Sequence, residues 1–319
     1  MNLITNPQEL FNFTLQKLKE NIATRHILER VQDSQYDQQF GTEICSLIFS
    51  LCEKNEDLYQ QRINQFISFC HEFLRLQAEL ERTQKYHFSS FEEAKKEIYD
   101  NPAVMENRYL YGLLFSQAFW INHHKIFQLF RNEFCNSLPP QGTVLEVPVG
   151  TGIFLSAFLQ QNPTWVGTGY DISPSAITLS QKVLAATIGK SDKFTLPTVR
   201  QENIFEVKEN KRYDRIICGL LLDNVENPHQ LLQKLDQLLV PGGKIFLTTN
   251  AWASTIDHLY LFKSVQEIKQ LLEQYFSIEQ DLALSVILSK RPEEEKTPVN
   301  YACILTKKVM KVPESTFNA

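Results

Sequence analysis

Glycine is scarce in the first part of this 319-residue chain: residues 1–137 hold only Gly41 and Gly112 of its 11 glycines. That scarcity argues against a turn-rich strand region, because turns at positive φ rely on glycine. Long apolar runs are also missing, and none reaches the ~18 residues of a membrane-crossing helix. Basic charge is not in excess. Lys and Arg number 32 against 37 Asp and Glu, a net charge of -5. No basic face is therefore offered to nucleic acid or an anionic membrane. The six cysteines (Cys45, Cys52, Cys70, Cys135, Cys218, Cys303) form no C-x-x-C pair, which argues against a zinc site, a redox motif or a disulfide framework. Met1 to Gln8 lack a basic segment followed by an apolar core, so no secretory signal is expected. No internal repeat is apparent. What remains is an expected cytoplasmic, globular protein, 43% hydrophobic and 22% charged, long enough for one large domain or two modest ones.

Residues 1–137 read as an all-helical N-terminal domain. Leu10, Phe13, Leu15, Leu18 and Ile22 recur at helical spacing, as do Ile44, Leu47, Ile48 and Leu51, and then Ile63 through Leu76. Ser90 to Glu93 is a capping-box pattern. Asn101-Pro102 punctuates, because a residue before proline resists helical geometry. Met105 to Phe134 is apolar on more than one side, which predicts a buried helix between this part and the remainder of the chain. Ser137 to Gly142 reads as a linker.

From Thr143 the periodicity changes, and residues 138–319 read as a second domain. Strands are expected at 143–147, 164–169 (ending at Asp171), 198–201, 213–219, 244–249, within 277–288, and at 301–306. Helices are expected at 153–160, 175–188, 228–239 and 264–275, with Val240 to Gly243 as a turn and a polar tail after the last strand. Strands alternating with helices give a parallel sheet with right-handed crossovers. The charged loop Arg291 to Pro298 joins the last two strands as a hairpin, which places an antiparallel strand at the edge.

The stretch Val144 to Phe154 is a strand, a turn with Gly150 and Gly152, then a helix start. Such a turn lets backbone approach a ligand closely, and the helix points free N–H groups at it. Glu146 is an acceptor at the strand's end. Asp171 lies about 20 residues on, where a doubly wound fold sets a carboxylate against ribose hydroxyls. Asn203 and Ile204 end the third strand, and Cys218-Gly219-Leu220 end the fourth beside the ligand.

This ordered set resembles class I S-adenosylmethionine-dependent methyltransferases over roughly Thr143 to Lys307. The matching pieces are Val144-Leu-Glu-Val-Pro-Val-Gly-Thr-Gly152, Gly167-Thr-Gly-Tyr-Asp171, Tyr213-Asp214 through Pro228, and Leu238 through Thr249. Leu222 to Pro228 is similar to the Leu-Glu-His-Val-Glu-Asp-Pro run of the ubiquinone-biosynthesis-type branch. The resemblance implies a Rossmann-like, seven-stranded α/β sheet and S-adenosylmethionine as cofactor. It implies Glu146 near the methionine amino group, with Gly150, Thr151 and Gly152 under the methionine part. Asp171 would bind the ribose, Ile172 and Ile204 would sandwich the adenine, and Asn203 would meet its exocyclic amine. The chain departs from the pattern in three places. Pro148 replaces the first glycine, Asn203 the usual aspartate, and Asn224 the histidine, which removes a base.

An acceptor site is expected from two further segments. Asn250 to Phe262 follows the fifth strand, and ligands lie outside the carboxyl ends of strands. It offers Trp252, Asp257, His258 and Tyr260, with His258, oriented by Asp257, as the base for O-methylation of a small organic molecule of natural-product type; N- and C-methylation are the alternatives. The second segment offers Tyr109 for the cofactor's carboxylate, and Tyr111, Trp120, Asn122 and His123 for the substrate, His123 being the other candidate base. The structural alternatives are helix capping by Asp257-His258 and a packing seam for 109–124. Adjacent histidines on a helix point about 100° apart, so His123 and His124 are not expected to share a metal. The helical domain is expected to roof the site, with a homodimer contact through it. A dinucleotide oxidoreductase would prefer Gly-x-Gly-x-x-Gly, whereas position 155 is Leu. A non-catalytic nucleoside-binding module on the same scaffold is the third reading.

Overall fold

Asn6, Asp37 and Asn55 each set a side-chain oxygen over the first turn of a helix, accepting from the N–H of Gln8, Phe40 and Leu58. These caps satisfy donors a helix start would leave free. They open α1 (Pro7–Lys19), α2 (Gln38–Leu51) and α3 (Glu56–Thr83). Ser90 caps the short helix Phe91–Ala94, as its pattern predicts, and a π-helical turn, Lys95–Tyr99, continues it. The computed structural model describes residues 6–27, 31, 36–189, 194–208, 212–287 and 289–308. Met1 to Thr5, Leu288 and the polar tail from residue 309 lie outside them.

The segment 105–134 is buried as expected, but it is not one helix. A π-helical turn, Met105–Tyr109, leads into α4 (Leu110–Phe119). Trp120 then takes an extended conformation before α5 (Ile121–Leu129), and a second π-helical turn, Phe130–Phe134, ends the segment. The break lets the Trp120 ring lie over Phe69 and Phe73 of α3, at 5.5 and 5.2 Å between centroids.

Among the described residues, seven strands form one sheet in the order β3-β2-β1-β4-β5-β7-β6. They are β1 (Thr143–Glu146), β2 (Val166–Asp171), β3 (Thr198–Gln201), β4 (Tyr213–Gly219), β5 (Leu239–Ala251), β6 (Phe276–Ser285) and β7 (Val299–Lys307). The first five are parallel; β7 is antiparallel to both β5 and β6, between which it lies. The expected turn at Val240 to Gly243 is absorbed into β5 as a bulge, with register slipping opposite Tyr213 and Gly242 at φ 75°. The helices α6 (Ile153–Gln161), α7 (Pro174–Thr187), α8 (Pro228–Leu238) and α9 (Val265–Leu272) complete the crossovers and covers.

Alternate side chains on each strand enter different cores, as strand geometry requires. Val144, Ile217 and Phe246 face the N-terminal helices with α6 and α7, whereas Leu145, Ile216, Cys218 and Leu247 face α8 and α9. A seam of phenylalanines ties the two parts of the chain: Phe130 meets Phe154 at 4.9 Å and Phe246 at 5.0 Å, and Phe134 meets Phe158 at 6.1 Å. Among the described residues no helix is long and apolar enough to cross a membrane.

Candidate functional site

The strand order reverses between β1 and β4, and an open α/β sheet binds ligands in the crevice there. A cleft of about 1300 Å³, counting its open mouth, lies at these carboxyl ends. Its first wall is the glycine turn. The Val147–Pro148 peptide is cis, and Gly150 takes φ 47°. The Gly150 N–H donates to Asp171 Oδ2 at 2.9 Å, and the Ser173 N–H to Oδ1 at 2.9 Å. Ser173 stands at the cap position of α7, but its hydroxyl makes no capping bond. Glu146 Oε2 accepts from the Leu155 N–H at 3.0 Å. Burial lifts Asp171 to about 6 against the pull of these N–H groups. Burial likewise pushes Glu146 well above the usual carboxylate range. Thr151, Ile172, Asn203 and Ile204 line the same wall. Asn203 Oδ1 already accepts from the Phe205 N–H at 3.1 Å, closing a short 3-10 turn.

Two expected cofactor contacts are corrected. A Cβ on Gly150 would meet nothing within 4 Å, so that glycine borders open space; on Gly152 it would stand 2.9 Å from the Ser180 Cβ. Gly152 therefore packs α6 against α7 and does not line the cleft. Cys218 is buried in the α8–α9 core, on the other face of β4; Gly219 and Leu220 reach the ligand side instead.

The opposite wall centres on Asp257. Its Oδ2 accepts from Tyr99 Oη at 2.9 Å, Tyr109 Oη at 2.5 Å and Asn224 Nδ2 at 2.8 Å, and its Oδ1 from Thr255 Oγ1 at 2.8 Å. Burial first, then the Asp257 charge, pushes both tyrosines well above their usual range. Tyr109 thus lines the cleft, but its hydroxyl is held by Asp257. The tyrosine and Asn224 were not expected as a set, and Tyr99 was missed. Asn224 stands where the resembling branch has its histidine.

Behind this wall lies a smaller chamber of about 420 Å³, lined by Phe69, Phe73, Trp120, Asn250 and His258; Tyr109, His123, Asn224 and Asp257 border both spaces. Phe69 and Phe73 had read as a packing stripe. His123 is in the acceptor form. Ser116 Oγ donates its one hydrogen to the Leu113 carbonyl at 2.8 Å, so Nδ1–H of His123 donates to Ser116 at 2.9 Å and Nε2 carries the lone pair. Burial lowers His123 to about 4.

His258 is not oriented by Asp257. Its Nε2 lies 3.3 Å from Asp223 Oδ2, and its Nδ1 faces the Ala253 carbonyl at 3.0 Å. Both ring nitrogens thus face groups of the fold itself, which leaves neither turned to a substrate in the main cleft. Asp223 also receives Asn250 Nδ2 at 2.8 Å, and its carbonyl receives the N–H groups of Leu259 and Tyr260. A row of buried amides leads to it, with Asn122 Nδ2 on Asn300 Oδ1 at 2.9 Å and Asn300 Nδ2 on Asn250 Oδ1 at 2.8 Å.

Four expected substrate residues are elsewhere. Tyr111 lies under the Arg62 guanidinium, 3.9 Å from its ring centre. Asn122 clips α5 to the Leu284 and Ser285 carbonyls at 3.2 and 3.1 Å. Trp252 is buried at φ 52° with its carbonyl held by Gln77. Tyr260 packs on Phe262 at 4.7 Å against the α8–α9 core. None of the four lines the cleft or the chamber. Of the five residues expected to line the substrate site, Trp120 is the one that does. Among the described residues no three His, Cys, Asp or Glu are grouped to hold a metal.

Comparison with known proteins adds a family. Residues 119–282 match the methyltransferase domain. A malonyl-[acyl-carrier protein] O-methyltransferase of Ilyobacter polytropus is 26% identical over 167 residues, covering 51% of this chain and 61% of that protein. A ubiquinone biosynthesis O-methyltransferase of Coxiella burnetii is 28% identical over 106 residues, covering 33% of this chain and 42% of its own. The chain thus spans less than two thirds of either relative. The N-methyltransferase NodS of Bradyrhizobium japonicum, solved with S-adenosylhomocysteine, aligns in structure with TM-score 0.45 and 12% identity, over 70% of this chain and all of that one.

Proposed function

The chain belongs to the methyltransferase-domain family, and from that premise we propose that it transfers a methyl group from S-adenosylmethionine to a small organic acceptor. One observation carries the reading: Asp171, bonded to the left-handed Gly150, faces the Asp257 cluster across a single cleft. The donor set fits the cofactor. Gly150 leaves space where a side chain would stand, Ile172 and Ile204 give apolar faces for a base, and Asp171 offers acceptors to ribose hydroxyls. Glu146 and Asp171 complement a cation. The bound cofactor supplies a methyl on a positively charged sulfur. The chain's part is to orient the nucleophile and exclude water. Residues 1–137 supply Tyr99, Tyr109 and His123 as roof, and residues 138–319 hold the cofactor.

Both curated relatives are named O-methyltransferases; for an oxygen acceptor His123 Nε2 is the group placed to take the proton, whereas a nitrogen acceptor is the alternative that needs only orientation. His123 is neutral across the physiological range, and it borders both cleft and chamber. His258 serves by holding the loop that carries Asp257. Calorimetric titration with S-adenosylhomocysteine and with NAD tests the premise: micromolar binding of the first and none of the second is expected. Binding of NAD alone would sink it. Labelled methyl transfer onto a small-molecule extract then tests turnover.

A further inference from the structure

Hydrogen-bonding capacity around Asp257 is lopsided. Asn224 donates through Nδ2 to the Asp257 carboxylate at 2.8 Å, which fixes the other end of its amide as oxygen. That oxygen is buried without a partner, on a side chain only 6% exposed that borders both cleft and chamber. A buried acceptor is normally satisfied, so this one calls for a donor from a ligand. His123 Nε2 is a second free acceptor, and Asp257, which already takes four donors, stands beside them. The donors that ring Asp257 are committed, Tyr99, Tyr109 and Asn224 to Asp257, Asn300 to Asn250, and Asn250 to Asp223; the unpartnered hydroxyls of Thr249 and Tyr301, on the β5–β7 side of the cleft, can donate or accept. Charge has the same sense. Glu146, Asp171, Glu202 and Asp257 line the cleft, and among the described residues no lysine or arginine does. The chamber beyond is walled by Phe69, Phe73 and Trp120.

We infer that the acceptor atom is the nitrogen of a primary or secondary amine on an apolar, ring-bearing skeleton. Its N–H groups donate to Asn224 Oδ1 and His123 Nε2, and its skeleton enters the chamber beside Trp120. This rests on the methyltransferase reading above. A primary amine brings two donors and a lone pair, a hydroxyl one donor, a carboxylate none. A carboxylate would also meet no lysine or arginine among the described lining residues, only carboxylates among the charged ones. In the step, the nitrogen lone pair forms the C–N bond as the methyl carbon–sulfur bond breaks, and that bond's electron pair stays on sulfur. The positive charge passes from sulfur to nitrogen. The nitrogen keeps its hydrogens, and the product ammonium sheds one to water after release. An alkyl amine, mostly ammonium in neutral water, gives its extra proton to water before the lone pair attacks; Asp257 faces the place where the positive charge builds again, so it acts by electrostatic stabilisation.

The test uses the full chain saturated with S-adenosylhomocysteine and three probes of one skeleton: phenethylamine, phenethyl alcohol and phenylacetate. The amine is expected to bind at least about tenfold tighter than the alcohol, with the acid weakest. With methyl-labelled cofactor, label goes to the amine. Asp257→Asn lowers that turnover about 100-fold and Asn224→Ala about tenfold, while affinity for S-adenosylhomocysteine moves less than about threefold. Should either variant fold poorly, the order of the three probes on the unaltered chain decides. Alcohol binding as tight as amine, or label on the alcohol alone, overturns the amine and leaves the methyltransferase reading standing. A chain that does not bind S-adenosylhomocysteine overturns both.

Discussion

The wall that carries Asp171 and the wall that carries Asp257 face one cleft, but they are held by different kinds of partner. Asp171, Glu146 and Asn203 are gripped by backbone N–H groups of Gly150, Ser173, Leu155 and Phe205. Asp257 is gripped by the side chains of Tyr99, Tyr109, Asn224 and Thr255. Backbone partners come from the same strand ends and turns that make the sheet, so the donor side is as fixed as the fold. Side-chain partners come from distant segments and change with single substitutions. The difference teaches that donor recognition is built into the topology, whereas acceptor choice is written in replaceable residues.

Substitutions can break or sharpen that contrast. The largest effect is expected from His258→Ala, which leaves the buried Asp223 without its imidazole partner. Losing one partner of a buried pair costs about 3–5 kcal/mol, so a marked fall in the thermal midpoint is expected, with S-adenosylhomocysteine affinity kept in the folded fraction. An unchanged midpoint with turnover abolished would return His258 to the role of base. Next, Asp171→Ala removes the acceptor for two N–H groups and, on the proposed function, the ribose partner. Calorimetry should show about 100-fold weaker cofactor binding, about 2.8 kcal/mol; a change below threefold would separate Asp171 from the donor wall.

Acidity comes third. Asp171 sits near 6 in the free protein, above its unfolded value of 3.8. The folded chain therefore holds an extra proton between these values, and this group's share of stability falls as pH rises through them. Cofactor binding has the opposite sense, because the ionised form accepts from the ribose. Affinity should drop up to about tenfold per pH unit below 6; a flat profile from pH 7 to 5 would contradict it. The smallest effect separates two glycines. Gly150→Ala should weaken cofactor binding by about 1 kcal/mol, because its Cβ enters the open space left for the ligand. Gly152→Ala should lower stability instead, because its Cβ would stand 2.9 Å from that of Ser180.

The donor wall was legible because its residues follow one another at strand ends: β3 and β4 begin and end where periodicity places them, and Glu146, Asp171 and Asn203 follow from that order. Cys218 misled because position along a strand does not say which face a side chain takes. Its parity with Leu145 and Ile216 carries that information. The acceptor wall was less legible. Asp257 was expected there, but with the wrong partner, because Tyr99 and Tyr109 lie 158 and 148 residues away from it. Tyr99 ends a π-helical turn that local spacing does not announce, and Trp120 breaks a helix that its composition would continue. Tyr111, Asn122, Trp252 and Tyr260 are polar or aromatic residues in the right segments whose side chains serve packing.

The amides of Asn122, Asn300 and Asn250 all donate in one sense, toward Asp223. Each bond polarises the next, so the row is a small aligned dipole chain with its direction set at one end by a negative charge. The attachment of α5 to the sheet edge is therefore electrically polarised as well as packed. Asp223→Asn would remove that charged terminus and leave the direction of the row to the Leu284 and Ser285 carbonyls, which accept from Asn122 at its other end.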